Sequence, residues 1–139
     1  MTTDGQDIEC RIYFEDTDAG GVVYYANYLK YYERGRTEFL RSMGFEQDQL
    51  LEQNLVFVVR NICVDYRQPA RFNDLLRVNT RIESLRKVGL VFVQSVFRKN
   101  NNDQVLLNSA RVEIASLSAD RFRPCAIPQN ILEELKNYE

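Results

Sequence analysis

Residues 14–44, FEDTDAGGVVYYANYLKYYERGRTEFLRSMG, join an acidic, glycine-containing turn to one long helix. The turn spans residues 15–21, and the expected helix starts near Asn27 and ends near Gly44. Apolar residues recur along it at steps of three and four, the spacing of one helical face: Tyr28, Tyr32, Gly35, Phe39 and Met43. We expect this face to pack on a sheet.

Local features refine the expected helix. Asn27 is the predicted N-cap, because its side-chain oxygen can accept from the first free N–H groups. Gly44 suits the C′ position, where φ is positive. Gly35 in mid-helix predicts close packing against another backbone, since glycine there otherwise costs up to about 1 kcal/mol. Arg34 and Glu38 lie four residues apart, which favours a weak pair.

Alternating apolar and polar residues predict five strands and a final helix. The strands are Ile8–Glu15, Leu55–Tyr66, Leu76–Glu83, Leu90–Arg98 and Leu106–Leu117, with a short helical turn or loop in FEQDQLLEQN and a terminal helix starting at Pro128. Apolar residues on both faces of Leu55–Tyr66 predict a central strand. Short links between the last four strands predict an antiparallel meander covered by the long helix, which is an α+β architecture.

Composition limits the possible functions. The chain has 139 residues, 45% hydrophobic and 27% charged, values typical of one globular domain over residues 1–139. Its net charge of -2 and pI near 5.3 argue against broad nucleic-acid binding. No apolar run approaches the length of a membrane span. The polar, acidic start MTTDGQDIEC is not typical of a secretory signal.

Cysteine and histidine content narrows the chemistry. Cys10, Cys63 and Cys125 are odd in number and far apart, so we expect no zinc site, a reducing cytoplasm and small buried hydrophobic roles. The chain has no histidine, which excludes Ser-His-Asp and Cys-His catalysis. A carboxylate is then the leading base or nucleophile for hydrolysis, and we expect no metal and no cofactor.

The acidic turn has two interpretations on residue chemistry alone. Asp and Gly clusters before a helix usually serve turn formation and capping. A carboxylate next to helix N–H groups can also serve catalysis. Asp16 is expected to satisfy loop amides, and Glu15 to be an exposed charge. A calcium loop is excluded, because Gly20 and Asn27 occupy positions 5 and 12 of such a loop.

The stretch EDTDAGGVVYYANYLKYYERGRTEFLRSMGF resembles the active-site loop and central helix of hot-dog-fold acyl-CoA thioesterases. The resemblance continues through LVFVVRNICVDYRQPARFNDLL and LLNSARVEI, and is greatest to the Tol–Pal-associated, YbgC-type group of the 4-hydroxybenzoyl-CoA thioesterase family. It implies a curled antiparallel five-stranded sheet wrapped around the helix, with a short C-terminal helix. It also implies dimers paired edge to edge and often assembled into homotetramers, acyl-CoA substrates, and acyl carrier protein as a possible partner.

Site residues follow from the same resemblance. Asp18 is implied as nucleophile or general base, and the backbone N–H of Tyr25, near the helix N-terminus, as the oxyanion donor. The YbgC-type group usually has histidine where this chain has Tyr25, a change that a backbone donor tolerates. The residues expected at the substrate are Gly20, Val23, Tyr24, Val59, Arg60, Arg86 and Lys87.

Four arginines and one lysine have open interpretations. Arg86 and Lys87 either hold phosphates of coenzyme A or form an ordinary solvated turn. Arg60, within an apolar strand, needs a partner if buried, and Asp65 or a neighbouring subunit are the candidates. Arg36, like Arg34, is expected to be a solvated helix charge or an intersubunit pair rather than a substrate ligand.

Two rival functions accompany the thioesterase interpretation. Hot-dog hydratases generally use a histidine with a carboxylate, and this chain has no histidine. A non-catalytic module that binds acyl-CoA or acyl carrier protein is the second rival. Retention of Asp18 favours the enzyme, and saturable thioester hydrolysis separates the two.

Overall fold

A computed structural model describes residues 5–139. Residues 1–4 lie outside the described part. They belong to the predicted domain and to the polar stretch at the start of the sequence. The strands are β1 (Gln6–Arg11), β2 (Leu55–Tyr66), β3 (Leu75–Arg86), β4 (Gly89–Asn100) and β5 (Asp103–Ser118). The helices are α1 (Tyr28–Ser42), α2 (Gln47–Glu52) and α3 (Gln129–Lys136), and 3-10 turns occupy Phe14–Asp16 and Tyr25–Asn27.

The five strands form one antiparallel sheet in the order β1-β3-β4-β5-β2. The predicted meander holds for β3, β4 and β5, but β2 pairs with β5 rather than with β3. The prediction of β2 as a central strand is therefore wrong. Val59 on this strand is 47% exposed. Apolar residues on both faces of β2 thus belong to an edge strand, and residues 5–139 leave several of its side chains partly or fully exposed.

Helix α1 lies against the sheet with Tyr31, Tyr32 and Phe39 fully buried. A Cβ at Gly35 would lie 2.6 Å from Oγ1 of Thr80 on β3. The close approach predicted at Gly35 is thus present, although it meets side chains rather than backbone. The predicted α+β hot-dog architecture, a five-stranded antiparallel sheet with one long helix and a short C-terminal helix, is confirmed.

The two ends of α1 differ in how well the sequence predicted them. Gly44 has φ +89, and the N–H groups of Gly44 and Phe45 donate to the carbonyls of Arg41 and Leu40, which is a Schellman motif. The N-cap prediction for Asn27 is wrong in mechanism. Asn27 is itself helical at φ -66, because a 3-10 turn precedes α1, and its side chain makes no capping bond.

The bounds of the elements near the ends of the chain differ from the predicted bounds by a few residues. β1 ends at Arg11 rather than Glu15, because Phe14–Asp16 turns into a 3-10 helix. Pro128 precedes α3 as its cap instead of opening the helix. The predicted helical turn after Gly44 is confirmed as α2. No helix within residues 5–139 is long and apolar enough to cross a membrane.

Charged residues of α1 depart from the sequence prediction. Arg36 is only 9% exposed, and its Nη1 donates to Oε1 of Gln94 at 3.0 Å, so it is not a solvated charge. Glu38 pairs with Arg41 rather than with Arg34. The guanidinium of Arg34 instead lies 5.7 Å from the centre of the Tyr31 ring. The helix therefore carries one buried arginine on its sheet-facing side.

Among the cysteines, Cys63 on β2 is exposed, so its predicted role as a small buried hydrophobe is wrong. Cys63 lies opposite the exposed Arg111 of β5, on the face of the sheet that carries polar side chains, which explains its exposure. Cys10 and Cys125 are half-buried and pack against the core. All three thiols are free.

Candidate active site

A tight turn presents the Asp18 carboxylate. Thr17 and Val23 form an isolated antiparallel bridge, and the Asp18 N–H donates to the carbonyl of Val22 at 2.9 Å. The Gly20 N–H donates to Oδ1 of Asp18 at 2.9 Å. The second carboxylate oxygen of Asp18 has no hydrogen-bond donor among residues 5–139. The turn thus fixes an exposed carboxylate by one oxygen and leaves the other free to react.

Asp16, two residues earlier, has a structural role, as the sequence predicted. Its Oδ2 accepts from the Tyr13 N–H at 2.8 Å, and its backbone carbonyl accepts from the Tyr24 N–H at 3.0 Å. The Asn27 side-chain amide reaches the same carbonyl at 3.3 Å. These bonds tie the two ends of the acidic turn together, so Asp16 holds the loop on which Asp18 stands.

Free backbone donors lie where this loop enters α1. The carbonyl of Tyr24 accepts from the Asn27 N–H at 2.8 Å. Since the C=O and N–H of a trans peptide point in opposite directions, the N–H of Tyr25 is directed away from that turn. Within the described part of the chain, the N–H groups of Tyr25 and Ala26 have no acceptor. They are the exposed donors expected at a helix N-terminus.

Tyr66, at the end of β2, fixes the next peptide. Its hydroxyl donates to the Tyr25 carbonyl at 2.9 Å. Burial raises the pKa of Tyr66, with the nearby Tyr25 as a second cause, so the hydroxyl stays protonated and can donate at neutral pH. The two tyrosine rings also meet edge to face, 6.2 Å between centres.

Asp18 and Tyr25 both line one cleft of about 280 Å³. Its walls come from the acidic turn, the start of α1 and the link after β2: Asp18, Val22, Val23, Tyr25, Tyr28, Tyr66, Arg67, Gln68 and Pro69. Of the predicted site residues, Asp18, Tyr25 and Val23 are brought together here. Gly20 supports the Asp18 carboxylate, and Tyr24 is half-exposed with its ring 5.1 Å from that of Tyr25.

The link after β2 is the part of the cleft that sequence reasoning missed. It contributes residues 67–69, next to Tyr66 at the end of the strand, and the sequence singled out none of these four as a site residue. The Ala70 N–H donates to the buried Tyr28 hydroxyl at 3.0 Å, and the Val23 N–H donates to the Ala70 carbonyl at 2.8 Å. These long-range bonds hold the link beside the acidic turn, and local patterns along the chain do not reveal them.

The remaining predicted substrate residues lie in two other places. Val59 lines a cavity between α1 and the sheet, whereas Arg60 and Arg86 share a cleft of about 180 Å³ beside the middle of β2. Arg60 sits at a β-bulge and pairs with Glu113 at 3.3 Å rather than with Asp65. Lys87 occupies the β3–β4 turn. A single copy of the chain therefore does not bring these four residues to Asp18.

No cluster of three or more acidic, histidine or cysteine side chains suited to a metal ion occurs within residues 5–139. The reactive groups that the cleft does offer are a carboxylate, backbone donors and neutral tyrosine hydroxyls. Such a set can polarise a carbonyl and attack it, or activate water against it.

Comparison with known proteins identifies the family. The model of the thioesterase-like superfamily matches residues 12–135. Acyl-CoA thioester hydrolase YbgC of Escherichia coli O6:H1 is 44% identical over 126 residues, covering 91% of this chain and 92% of that protein. The chain belongs to the YbgC group of the thioesterase-like superfamily. Acyl-CoA thioesterase YbgC of Haemophilus influenzae is 39% identical and covers 94% of each chain.

Solved structures agree with this family assignment. A thioesterase from Bartonella henselae, described as probable, superposes with a TM-score of 0.81 at 37% identity, covering 88% of this chain and 98% of that one. A variant of 4-hydroxybenzoyl-CoA thioesterase in complex with 4-hydroxybenzoyl-CoA superposes with a TM-score of 0.87 at 22% identity, covering 95% and 99%. The latter likeness concerns the fold alone.

Proposed function

We propose that this chain hydrolyses acyl-CoA thioesters to a free acid and coenzyme A. The observation that carries the proposal is the placement of the Asp18 carboxylate and the Tyr25 peptide in one cleft, with the Tyr25 N–H free of any acceptor among residues 5–139. The YbgC relatives are named as acyl-CoA thioester hydrolase and acyl-CoA thioesterase, which supports the same substrate class. A thioester suits so small a set of groups, because a thiolate leaves without acid assistance.

The proposed reaction assigns each group one task. The thioester carbonyl oxygen accepts a hydrogen bond from the Tyr25 N–H, which stabilises the negative charge that develops there. Asp18 either takes a proton from water as that water adds to the carbonyl, or adds directly and forms a mixed anhydride that water then cleaves. In both routes the carbon–sulfur bond breaks and the thiolate departs as the carbonyl reforms.

We propose a homodimer as the active unit. Strand β2 is an unpaired edge with exposed apolar residues, and such an edge readily pairs with another strand. Two-fold antiparallel pairing centred on the middle of Leu55–Tyr66 puts Tyr66 opposite the partner subunit's Leu55. The cavity beside Val59 and the cleft beside Arg60 on one subunit then approach the Asp18 cleft of the other. Assembly of two such dimers would give the homotetramer implied by the resemblance.

Coenzyme A is the proposed occupant of the arginine-lined region. Arg60 is 70% exposed at its side chain, and Arg86 lies in the same cleft. With Lys87 in the adjoining turn, these cations could bind the phosphates of a substrate that reacts in the partner's cleft. Gly20, Val23 and Tyr24 remain proposed contacts of the thioester end.

Substitution of Asp18 tests the activity. We expect Asp18→Asn to keep its fold, since the amide oxygen can still accept from Gly20, and to lower kcat for acyl-CoA hydrolysis by at least about 100-fold. The matched control is Glu15→Gln, which removes an exposed carboxylate outside the cleft. Thiol release is followed with aliphatic and aromatic acyl-CoAs. Wild-type turnover in Asp18→Asn would refute the role of Asp18, and saturable binding without hydrolysis by the wild type would indicate a binding module.

Cellular context is proposed from the resemblance. We propose a single catalytic domain over residues 1–139 that acts in the cytoplasm in association with the Tol–Pal system. We also propose that thioesters of acyl carrier protein are accepted alongside those of coenzyme A. Parallel assays with one acyl group on both carriers test the second point, and equal kcat/KM on the two would support it. No turnover of the carrier-protein thioester would remove it.

A further inference from the structure

The cavity between α1 and the sheet contains a buried cation. It measures about 220 Å³ and is lined by six apolar residues, Leu40, Phe57, Val59, Leu90, Phe92 and Ile114. The polar Thr37 and Gln47 and the exposed Glu33 complete the lining. Arg36 lines the same space and is only 9% exposed. A charged side chain is seldom buried in such surroundings without an opposite charge.

Arg36 forms no ion pair with any carboxylate among residues 5–139. Its one hydrogen bond runs from Nη1 to Oε1 of the buried Gln94 at 3.0 Å. Burial lowers the pKa of Arg36 to about 10, with the nearby Glu33 opposing this shift, so the guanidinium remains charged at neutral pH. The cavity therefore offers a desolvated cation with unused donors.

The position of the guanidinium is fixed by its single partner. Nε2 of Gln94 donates to the Tyr32 carbonyl at 2.9 Å and to Oγ1 of Thr80 at 2.8 Å. Both donors of this amide are thus used, and its oxygen is left to accept from Arg36. A pre-positioned donor group loses little freedom when it binds a ligand, which favours recognition of a planar carboxylate.

We propose that this cavity binds the distal end of the acyl group and selects acyl groups that end in a carboxylate. The cavity volume equals that of about seven water molecules in liquid water, which is enough for a short acyl chain. The apolar walls suit its methylene groups, and Arg36 suits its terminal charge.

This inference rests on the proposed thioesterase function and on the proposed pairing of β2. The partner subunit's Phe57 lines the cavity of its own subunit. In that pairing it lies two positions along the strand, or about 7 Å, from the partner residue that is opposite Tyr66. The acyl group bound at Asp18 would then extend into the cavity of the partner.

A pair of substrates of equal length tests the selection. Adipoyl-CoA and hexanoyl-CoA both carry six-carbon acyl groups and differ in the terminal carboxylate. We expect the wild type to have the higher kcat/KM for adipoyl-CoA. Arg36→Met keeps the unbranched stem of the side chain without the guanidinium, and we expect it to lower the ratio of the two kcat/KM values by roughly 10- to 100-fold, the range expected for lost hydrogen bonds to a charged group.

Arg34→Met is the matched control, since Arg34 is exposed on the same helix and does not line the cavity. It should leave the ratio unchanged. An equal loss on both substrates in Arg36→Met, or an unaltered ratio, would overturn the proposal. A fall in the ratio of similar size in Arg34→Met would do the same, because it would trace the preference to helix charge in general.

A binding experiment separates this inference from the proposed function. Adipate and its neutral isostere adipamide are titrated into wild-type and Arg36→Met protein, and the shift in Tm is measured. We expect adipate alone to raise Tm, and only when Arg36 is present. That result without any thioester hydrolysis would leave the carboxylate pocket standing and refute the enzyme. Hydrolysis with no response to adipate in the wild type would refute the pocket alone.

Discussion

The hydroxyl of Tyr66, at the end of the edge strand β2, donates a hydrogen bond to the backbone carbonyl of Tyr25 at 2.9 Å. This bond connects the sheet to the peptide next to the proposed oxyanion donor. It crosses from β2 to the start of α1, elements that are far apart in sequence. The orientation of the Tyr25 backbone is therefore controlled by the same strand that we expect to pair two subunits.

Tyr66→Phe removes this bond and keeps the ring. We expect kcat for acyl-CoA hydrolysis to fall about 2- to 10-fold, the kinetic equivalent of one neutral hydrogen bond, with little change in KM. Tyr138→Phe is a suitable control, because the Tyr138 hydroxyl makes no hydrogen bond with residues 5–139 and the residue does not line the cleft. A rise in KM at constant kcat would instead place Tyr66 in substrate binding rather than in positioning Tyr25.

Gly35→Ala sets two effects against each other. Alanine favours a helix over glycine by about 1 kcal/mol, whereas the added Cβ would lie 2.6 Å from Oγ1 of Thr80 and 3.0 Å from Nε2 of Gln94. Overpacking in a core costs about 1–3 kcal/mol, so we expect a net loss of up to about 2 kcal/mol in the free energy of unfolding. Urea unfolding measures this. Lys30→Ala, on the exposed side of α1, should change stability by less than about 0.5 kcal/mol. A stabilised Gly35→Ala would contradict the packing.

Alkaline pH should weaken the fold through Cys10. Burial raises the pKa of this thiol from 9.0 to about 11, with Arg34 opposing the shift and Asp16 adding to it. The unfolded chain therefore loses this proton first as pH rises. Stability linked to Cys10 is complete below about pH 9 and is lost as pH rises through about 11.

Comparison with Cys10→Ala separates the stability linked to the Cys10 thiol from that linked to the buried tyrosines. Burial raises the pKa of those tyrosines too, so their ionisation also weakens the fold at high pH. We expect the free energy of unfolding of the wild type, measured in urea under reducing conditions, to fall more steeply between pH 9 and 11 than that of Cys10→Ala. Parallel curves for the two proteins would mean that the thiol ionises alike in the folded and unfolded chain.

Dilution tests the need for a second subunit. If the site combines Asp18 of one subunit with Val59 and Arg60 of another, specific activity should fall once the protein is diluted below the dissociation constant of the dimer. Sedimentation at the same concentrations reports the mass of the species present. An active monomer would refute the composite site, whereas loss of activity in step with dissociation would support it.

The sequence predicted elements better than their arrangement. Local alternation located β2 to the residue, because period-two patterning depends on the strand alone. Its place at the sheet edge depends on pairing with β5, which local patterning does not encode. Similarly, the C′ position of Gly44 was predicted correctly because positive φ is a local requirement. The capping role predicted for Asn27 was wrong because a 3-10 turn precedes the helix.

The candidate site also contains residues that local sequence could predict and residues that it could not. Asp18 and Tyr25 could be identified because their motif is contiguous and resembles a family. Tyr66 and Arg67 could not, because long-range bonds through Ala70 bring their segment to the turn. Arg36 was misjudged because arginine on a helix is usually solvated, and the buried amide of Gln94 that receives it lies 58 positions away in sequence.

The strand order also bears on the route by which the chain folds. β3, β4 and β5 pair through short hairpins, whereas Ile8 on β1 pairs with Val78 and Ile62 on β2 with Val112. Closing the longer loops costs more chain entropy, so the three-stranded hairpin core should form first and the two edges dock later. Pulse-labelled hydrogen exchange would show this order, and simultaneous protection of all five strands would argue against it. The acidic turn follows β1 and Tyr66 ends β2, so a partly folded chain would contain a sheet but no assembled cleft.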